Sequence, residues 1–203
     1  MNMFMEKILN SIIEIIVFSI IPLLWWFCTA RKKCGFFQWI GLKPIGGNEK
    51  KKTLLWTVGI MIIFLWVPVL ILFLMRDVET AVSEFTGMGS SAVAAVLVYA
   101  VFNTSLPEEI VFRGFLLKRI SAKKGFAVAN MVQAAIFGLM HGILFFPVAG
   151  AIKAAVIIFF TGVIAWLMGY MNEKKADGSI IPGWMIHAVS NIFSGLCAAF
   201  SVF

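Results

Sequence analysis

The sequence predicts an all-α protein, a polytopic transmembrane bundle of about six helices, and three observations carry that prediction. Hydrophobic residues make up 61% of the 203 positions and charged ones only 13%, with a mean hydropathy of +0.97, far from the composition of a water-soluble domain. The apolar residues fall in runs of roughly 20, the length a helix needs to cross the hydrocarbon core while satisfying its own backbone hydrogen bonds. The basic residues gather in alternate connections between those runs, as they do in oriented membrane proteins. One integral membrane domain is therefore expected over residues 1–203, with a motif-bearing core at about 91–203.

The first span, Ile8 to Ala30, carries Pro22 as a kink and the Trp25-Trp26 pair near an interface. It is too long for the apolar region of a signal peptide and ends in Arg31-Lys32-Lys33, so it is expected to remain as an anchor. Glu14 is the exception within it. An acid at that depth is costly, so it either faces the bundle interior, where a catalytic use is open to it, or reaches the outer headgroups.

The connection from Arg31 to Thr53 holds Gly35-Phe36-Phe37-Gln38-Trp39-Ile40-Gly41-Leu42-Lys43-Pro44, whose aromatics and lysines suit a short amphipathic piece on the cytoplasmic surface. Interfacial anchoring explains it more simply than a lipid or substrate guide. A second span covers Leu54 to Met75, and an acidic loop to Ser90 returns the chain to a third that starts near Ser91. That span meets Pro107 and two consecutive acids, then continues apolar through Leu117. A fourth runs from Phe126 to about Phe146, a fifth from Ala149 to Met171, and a sixth from about Pro182 to the C-terminus.

The net charge of +7 is distributed as a membrane protein's rather than as a nucleic-acid footprint. Its clusters are Arg31, Lys32, Lys33, Lys43 and Lys50 to Lys52, then Lys118, Arg119, Lys123 and Lys124, then Lys174 and Lys175. The intervening loops carry Arg76 with Asp77, Glu79 and Glu84, and a lone Lys153. By the positive-inside rule the basic loops are cytoplasmic and both termini external, in a plasma membrane, with the active site towards the cytoplasm. Cys28, Cys34 and Cys197 form no paired framework and are read as structural thiols.

The rarest features of the chain lie inside or beside the apolar runs, where ionisable groups are expensive and mark function by default. Glu109 and Arg113 are one turn apart on one helix face and can form an ion pair. Glu108 lies roughly 100° round the helix and is left without a local partner, which makes it a candidate general base. Taken alone, the segment is equally well a structural acid–base knot between helices. Gln133, Phe137 and His141 recur at four-residue intervals on the fourth span, and His187, Asn191 and Ser194 share a face of the sixth. Three such faces converging point to a site. If the fourth span enters at Phe126, His141 lies on the order of 20 Å along it.

Glu108-Glu109-x-x-Phe112-Arg113-Gly114, Phe137-x-x-x-His141 and His187-x-x-x-Asn191, in that order and on successive apolar helices, resemble the three motifs of the CAAX protease and bacteriocin-processing (Abi) family of intramembrane peptidases, which includes the type II CAAX prenyl endopeptidases. The resemblance covers about Ala95 to Phe200. It implies an intramembrane endopeptidase acting on a membrane-associated peptide or protein, with no nucleic-acid partner. It implies that Glu108 and His141 activate a water, that His187 and Asn191 stabilise the oxyanion, and that Glu109 and Arg113 hold the geometry. Family members are also described as metalloproteases. A His/His/Glu set can bind zinc, but Asn is a poor zinc ligand and no H-E-x-x-H helix is present, so a metal-free water mechanism is favoured and the cofactor stays unassigned. Two other functions remain open: a non-catalytic bacteriocin-immunity or scaffold protein, and a small transporter with Glu108 and the histidines as a proton relay, for which no inverted repeat is visible.

Overall fold

The computed structural model describes residues 2–46 and 49–202, so part of the first basic loop and the last residue of the sixth predicted span lie outside the described residues. The described residues form helices and loops without strands. In chain order they are α1 (Met3–Thr29), a short α2 (Phe36–Ile40), α3 (Lys50–Leu74) with a loosened turn at Leu65, and α4 (Gly89–Lys124). A stretch from Phe126 to Lys175 follows, and Ile181–Ala199 ends the bundle.

The Phe126–Lys175 stretch is two helices, α5 (126–149) and α6 (151–175), because Gly150 has φ 78° and ψ 170°, which no helix accommodates. The arms fold back on each other. Asn130 Nδ2 donates to the Trp166 carbonyl at 2.9 Å, and Gln133 Nε2 donates to that of Ala165 at 3.0 Å. Gly138 lies against Ile158 and Gly162 of the returning arm. Small residues and side-chain amides are the usual means of bringing helices together in lipid, where hydrophobicity gives no reason for two helices to meet. Each arm is about 36 Å long, enough for one crossing. With α7 (Ile181–Ala199) the six expected helices are present, as α1, α3, α4, α5, α6 and α7, and α1, α3, α4 and the α5–α6 stretch are long and apolar enough to cross a membrane.

The outer surface of the bundle is apolar, and a set of polar groups is buried within an otherwise apolar interior. Ile12, Ile13, Ile16, Val17, Leu55 and Ile62 are exposed, whereas Glu109, Arg113, Asn130, Gln133 and Asn172 are fully buried. Alternate connections meet at the same end. At the basic end Ile180 N donates to the Gly41 carbonyl at 2.9 Å, Thr53 Oγ1 to that of Lys175 at 2.7 Å, and Lys118 pairs with Glu173 at 2.5 Å. At the opposite end Lys7 pairs with Glu84 at 2.6 Å. α1 continues as helix through Pro22.

The short helix α2 is more than a surface anchor. Phe37 is exposed, but Trp39 and Ile40 are buried with Ala30, Leu106 and Ile110. A Cβ on Gly114 would come within 2.9 Å of the Ile40 carbonyl, so the glycine that follows Arg113 is what lets α2 sit directly on α4. The aromatic pattern marked an interfacial segment, and the fold draws its inner face into the core.

Candidate active site

Four of the candidate residues meet at the contact between α4 and α7. Pro107 has no N–H to give to the preceding turn, and the helix around it widens into i→i+5 turns at Tyr99–Ser105 and Ile110–Leu117. Arg113 Nη1 lies 2.8 Å from Glu109 Oε1, and both side chains are wholly buried, so the ion pair expected from their spacing forms. His187 Nδ1 is 3.3 Å from the same carboxylate oxygen. Its other nitrogen, Nε2, is 3.7 Å from Glu108 Oε2. A carboxylate accepts only, so the Nδ1 proton of His187 points to Glu109 and the Nε2 side faces Glu108. Two acids adjacent in sequence thus serve one imidazole from opposite edges.

Phe137 of α5 joins the rest. The Arg113 guanidinium stands over its ring at 4.4 Å, the His141 ring is 4.4 Å away, and Phe112 and His187 approach it edge-on at 5.0 and 5.8 Å. His141 Nδ1 is 2.9 Å from the Phe137 carbonyl. A carbonyl accepts hydrogen bonds and donates none, so Nδ1 carries a hydrogen, and in the neutral imidazole Nε2 then holds the lone pair. Gln133, on the same stripe, is buried and serves the α5–α6 contact rather than the site.

A cavity of about 160 Å³ opens beside these groups. Its walls are Val67, Pro68 and Ile71 of α3, Phe137 and His141 of α5, Thr161, Ile164 and Met168 of α6, and His187, Ser190, Asn191 and Ser194 of α7. The three polar faces noted in the sequence lie on the third, fourth and sixth spans, which are α4, α5 and α7. α3 and α6 supply walls instead of α4, and Glu108 reaches the cavity only by way of His187. The reason is the Glu109–Arg113–His187 contact, which ties that part of α4 to α7 and leaves the other face of α7 to open towards α3. Along the helices, His187 lies about 9 Å in from the start of α7 and His141 about 22 Å in from the start of α5, so the cavity sits deep in the bundle.

Several residues at the site carry no sequence motif. Asn172, wholly buried at the end of α6, accepts the Gly183 N–H at 2.8 Å and fixes the first turn of α7 beside Glu109. Gly183 itself leaves no room for a side chain there. Thr104 and Ser105 receive the Asn191 amide at 2.9 and 3.2 Å. These two precede Glu108 and Glu109 by four residues each, so a search for polar positions on the same helix face would have found them. Glu14 is half-buried and makes no hydrogen bond or ion pair among the described residues.

Among the described residues no three His, Cys, Asp or Glu side chains converge at ligand spacing. Glu108 and His187 are neighbours, but His141 hydrogen-bonds to neither glutamate. Glu108, His141 and His187 therefore do not fit a zinc site as they stand.

The family model described as Type II CAAX prenyl endopeptidase Rce1-like matches residues 90–193, about half of the chain and the part that carries all six candidate residues. No curated protein and no solved structure matches the chain. The match covers the span in which the two glutamates, Arg113, both histidines and Asn191 come together, in agreement with the resemblance read from their spacing. The chain belongs to the Rce1-like family of type II CAAX prenyl endopeptidases, as an integral membrane protein of that protease family.

Proposed function

We propose that the protein is an intramembrane endopeptidase that hydrolyses a peptide bond of a membrane-associated protein or peptide with an activated water. The observation that carries this reading is the cavity into which two histidines and an asparagine project, backed by a carboxylate without a cationic partner. Glu109 cannot be the base, because its charge is balanced by Arg113 and engaged by His187. Glu108 has no guanidinium beside it, only the Nε2 edge of His187 at 3.7 Å.

The steps follow from which lone pairs are free. His141 Nε2 accepts a hydrogen bond from the water and holds it at the carbonyl. The water's proton passes to the pair formed by Glu108 and His187 Nε2 as the oxygen bonds to the carbonyl carbon. A proton on Nε2 makes His187 a donor towards the oxyanion. When the C–N bond breaks, the same proton goes to the leaving amine, and the carboxylate is restored. Glu109 and Arg113 touch none of the reacting atoms and keep His187 aimed. On this reading the basic end faces the cytoplasm of a plasma membrane.

A membrane-peptide library incubated with the purified protein, read by mass spectrometry, tests the proposal. Wild type should produce cleaved peptides that the Glu108→Gln variant does not. Cleavage by neither protein, or equal cleavage by both, sinks the reading and returns the immunity or scaffold function.

A further inference from the structure

Three hydroxyl side chains line the cavity, Thr161 of α6 and Ser190 and Ser194 of α7. Two of them spend their hydrogen on their own helix. Thr161 Oγ1 donates to the Ile157 carbonyl at 2.6 Å, and Ser194 Oγ donates to the Ser190 carbonyl at 3.1 Å. A serine inside a helix commonly does the same, and for Ser190 the acceptor four residues back is the carbonyl of Ile186. Ser190 does not follow that habit. Its side chain is half-buried, borders the cavity and makes no hydrogen bond among the described residues. Of the three hydroxyls, it is the one whose hydrogen is free for a group inside the cavity.

The surroundings decide what that hydrogen serves. The wall that faces α7 is aliphatic, built from Val67, Pro68 and Ile71 of α3 with Ile164 and Met168 of α6. None of these side chains donates a hydrogen bond. A peptide carbonyl brought from water against such a wall loses its hydration and needs a donor to offset the loss. Ser190 is the donor placed there. It stands three residues beyond His187, about 4.5 Å further along the helix axis and roughly 60° round it. An extended peptide advances about 3.3 Å per residue, so a scissile carbonyl held at His187 puts a neighbouring backbone carbonyl within reach of Ser190.

We infer that Ser190 is a substrate-binding residue, which donates its hydroxyl hydrogen to a backbone carbonyl within two residues of the scissile bond. The inference rests on the hydrolytic reading above. Ser190 occupies one of the unspecified positions of the His187-x-x-x-Asn191 motif, and the contact fixes the register of the peptide without reading its side chains.

The test is a cycle between enzyme and substrate. The peptide that the wild-type protein cleaves fastest in the library is remade as a set. In each member one backbone carbonyl within two residues of the scissile bond, the scissile one excepted, becomes a thiocarbonyl, whose sulfur accepts hydrogen bonds poorly. One of these replacements should cost wild type about 3- to 10-fold in kcat/KM, the worth of one neutral hydrogen bond. Ser190→Ala should lose a similar factor on the parent peptide and nothing further on that thiocarbonyl peptide. Its melting temperature should hold at the wild-type value, because alanine suits a helix and no internal bond is removed. Ser190→Thr keeps the hydroxyl and should keep the coupling. Thr161→Val and Ser194→Ala remove hydroxyls already engaged and should keep it as well. Identical thiocarbonyl penalties in wild type and Ser190→Ala at every position overturn the inference. So does loss of the coupling in Thr161→Val and Ser194→Ala as fully as in Ser190→Ala. A wild-type protein that cleaves no peptide is a different result, and sinks the hydrolytic reading together with the contact built on it.

Discussion

Glu108 and Glu109 are adjacent in sequence and have opposite surroundings. Glu109 is wholly buried against Arg113, whereas Glu108 keeps some exposure and has only His187 Nε2 beside it. Their glutamine variants should therefore separate chemistry from packing. Glu108→Gln keeps shape but cannot take a proton, and should lower turnover by about 10²- to 10⁴-fold with little change in melting temperature. Glu109→Gln leaves the buried Arg113 charge uncompensated, a loss on the order of 3–5 kcal/mol, so the melting temperature should fall along with activity. Measuring turnover and melting together for both variants checks this. Equal melting losses in the two would show that they share one structural role. The Glu109–Arg113 pair was legible in the sequence because a four-residue offset places two side chains on one helix face. The partner of Glu108 was not, since His187 is 79 positions away in sequence and only packing brings them together.

At the scale of elements, glycines decide how closely the helices approach. A Cβ on Gly183 would lie 2.7 Å from Asn172 Nδ2 and 2.8 Å from Glu109 Oε2, both buried groups with little freedom to move. Gly183→Ala gains about 0.5–1 kcal/mol of helix preference. Overpacking costs about 1–3 kcal/mol and should win. The variant should lose activity by disturbing Glu109, and hence the aim of His187, more than it loses melting temperature. Gly138→Ala faces a different obstacle, the backbone carbonyl of Ile158 at 2.6 Å, and should separate the arms of the α5–α6 hairpin. Gly59→Ala meets nothing within 4 Å and is the control. Thermal melts of the three in detergent check the order: Gly138→Ala well below wild type, Gly59→Ala at or above it. The two arms of the hairpin were legible as separate apolar runs. The close contact at Gly138 was not, because nothing in a single helix's pattern names the face its neighbour will take.

For the whole molecule, all of the 17 lysines and arginines except Lys7, Arg76, Arg113 and Lys153 lie at one end of the bundle. That asymmetry sets an orientation. Single cysteines at positions 51, 123 and 174, on a background with Cys28, Cys34 and Cys197 replaced, should resist an impermeant thiol reagent in intact cells and react after lysis. The three wild-type residues there, Lys51, Lys123 and Lys174, are exposed. Reaction at all three in intact cells would reverse the orientation and place the basic end outside.

The sequence by itself determined that the chain is a bundle of about six apolar helices, which ends of those helices share a side, and which six polar residues stand at spacings that resemble the family's motifs. Hydrophobic run length, loop charge and helical offset are local quantities, set by bilayer thickness and by the 3.6-residue turn. Only the tertiary structure decided that His187 stands between the two glutamates and that α3 and α6 wall the cavity. It alone decided that Asn191 meets Thr104 and Ser105. Each of these depends on which helix faces which. In lipid that choice follows from glycine contacts and buried hydrogen bonds across the chain, whose partners the hydrophobic pattern does not name.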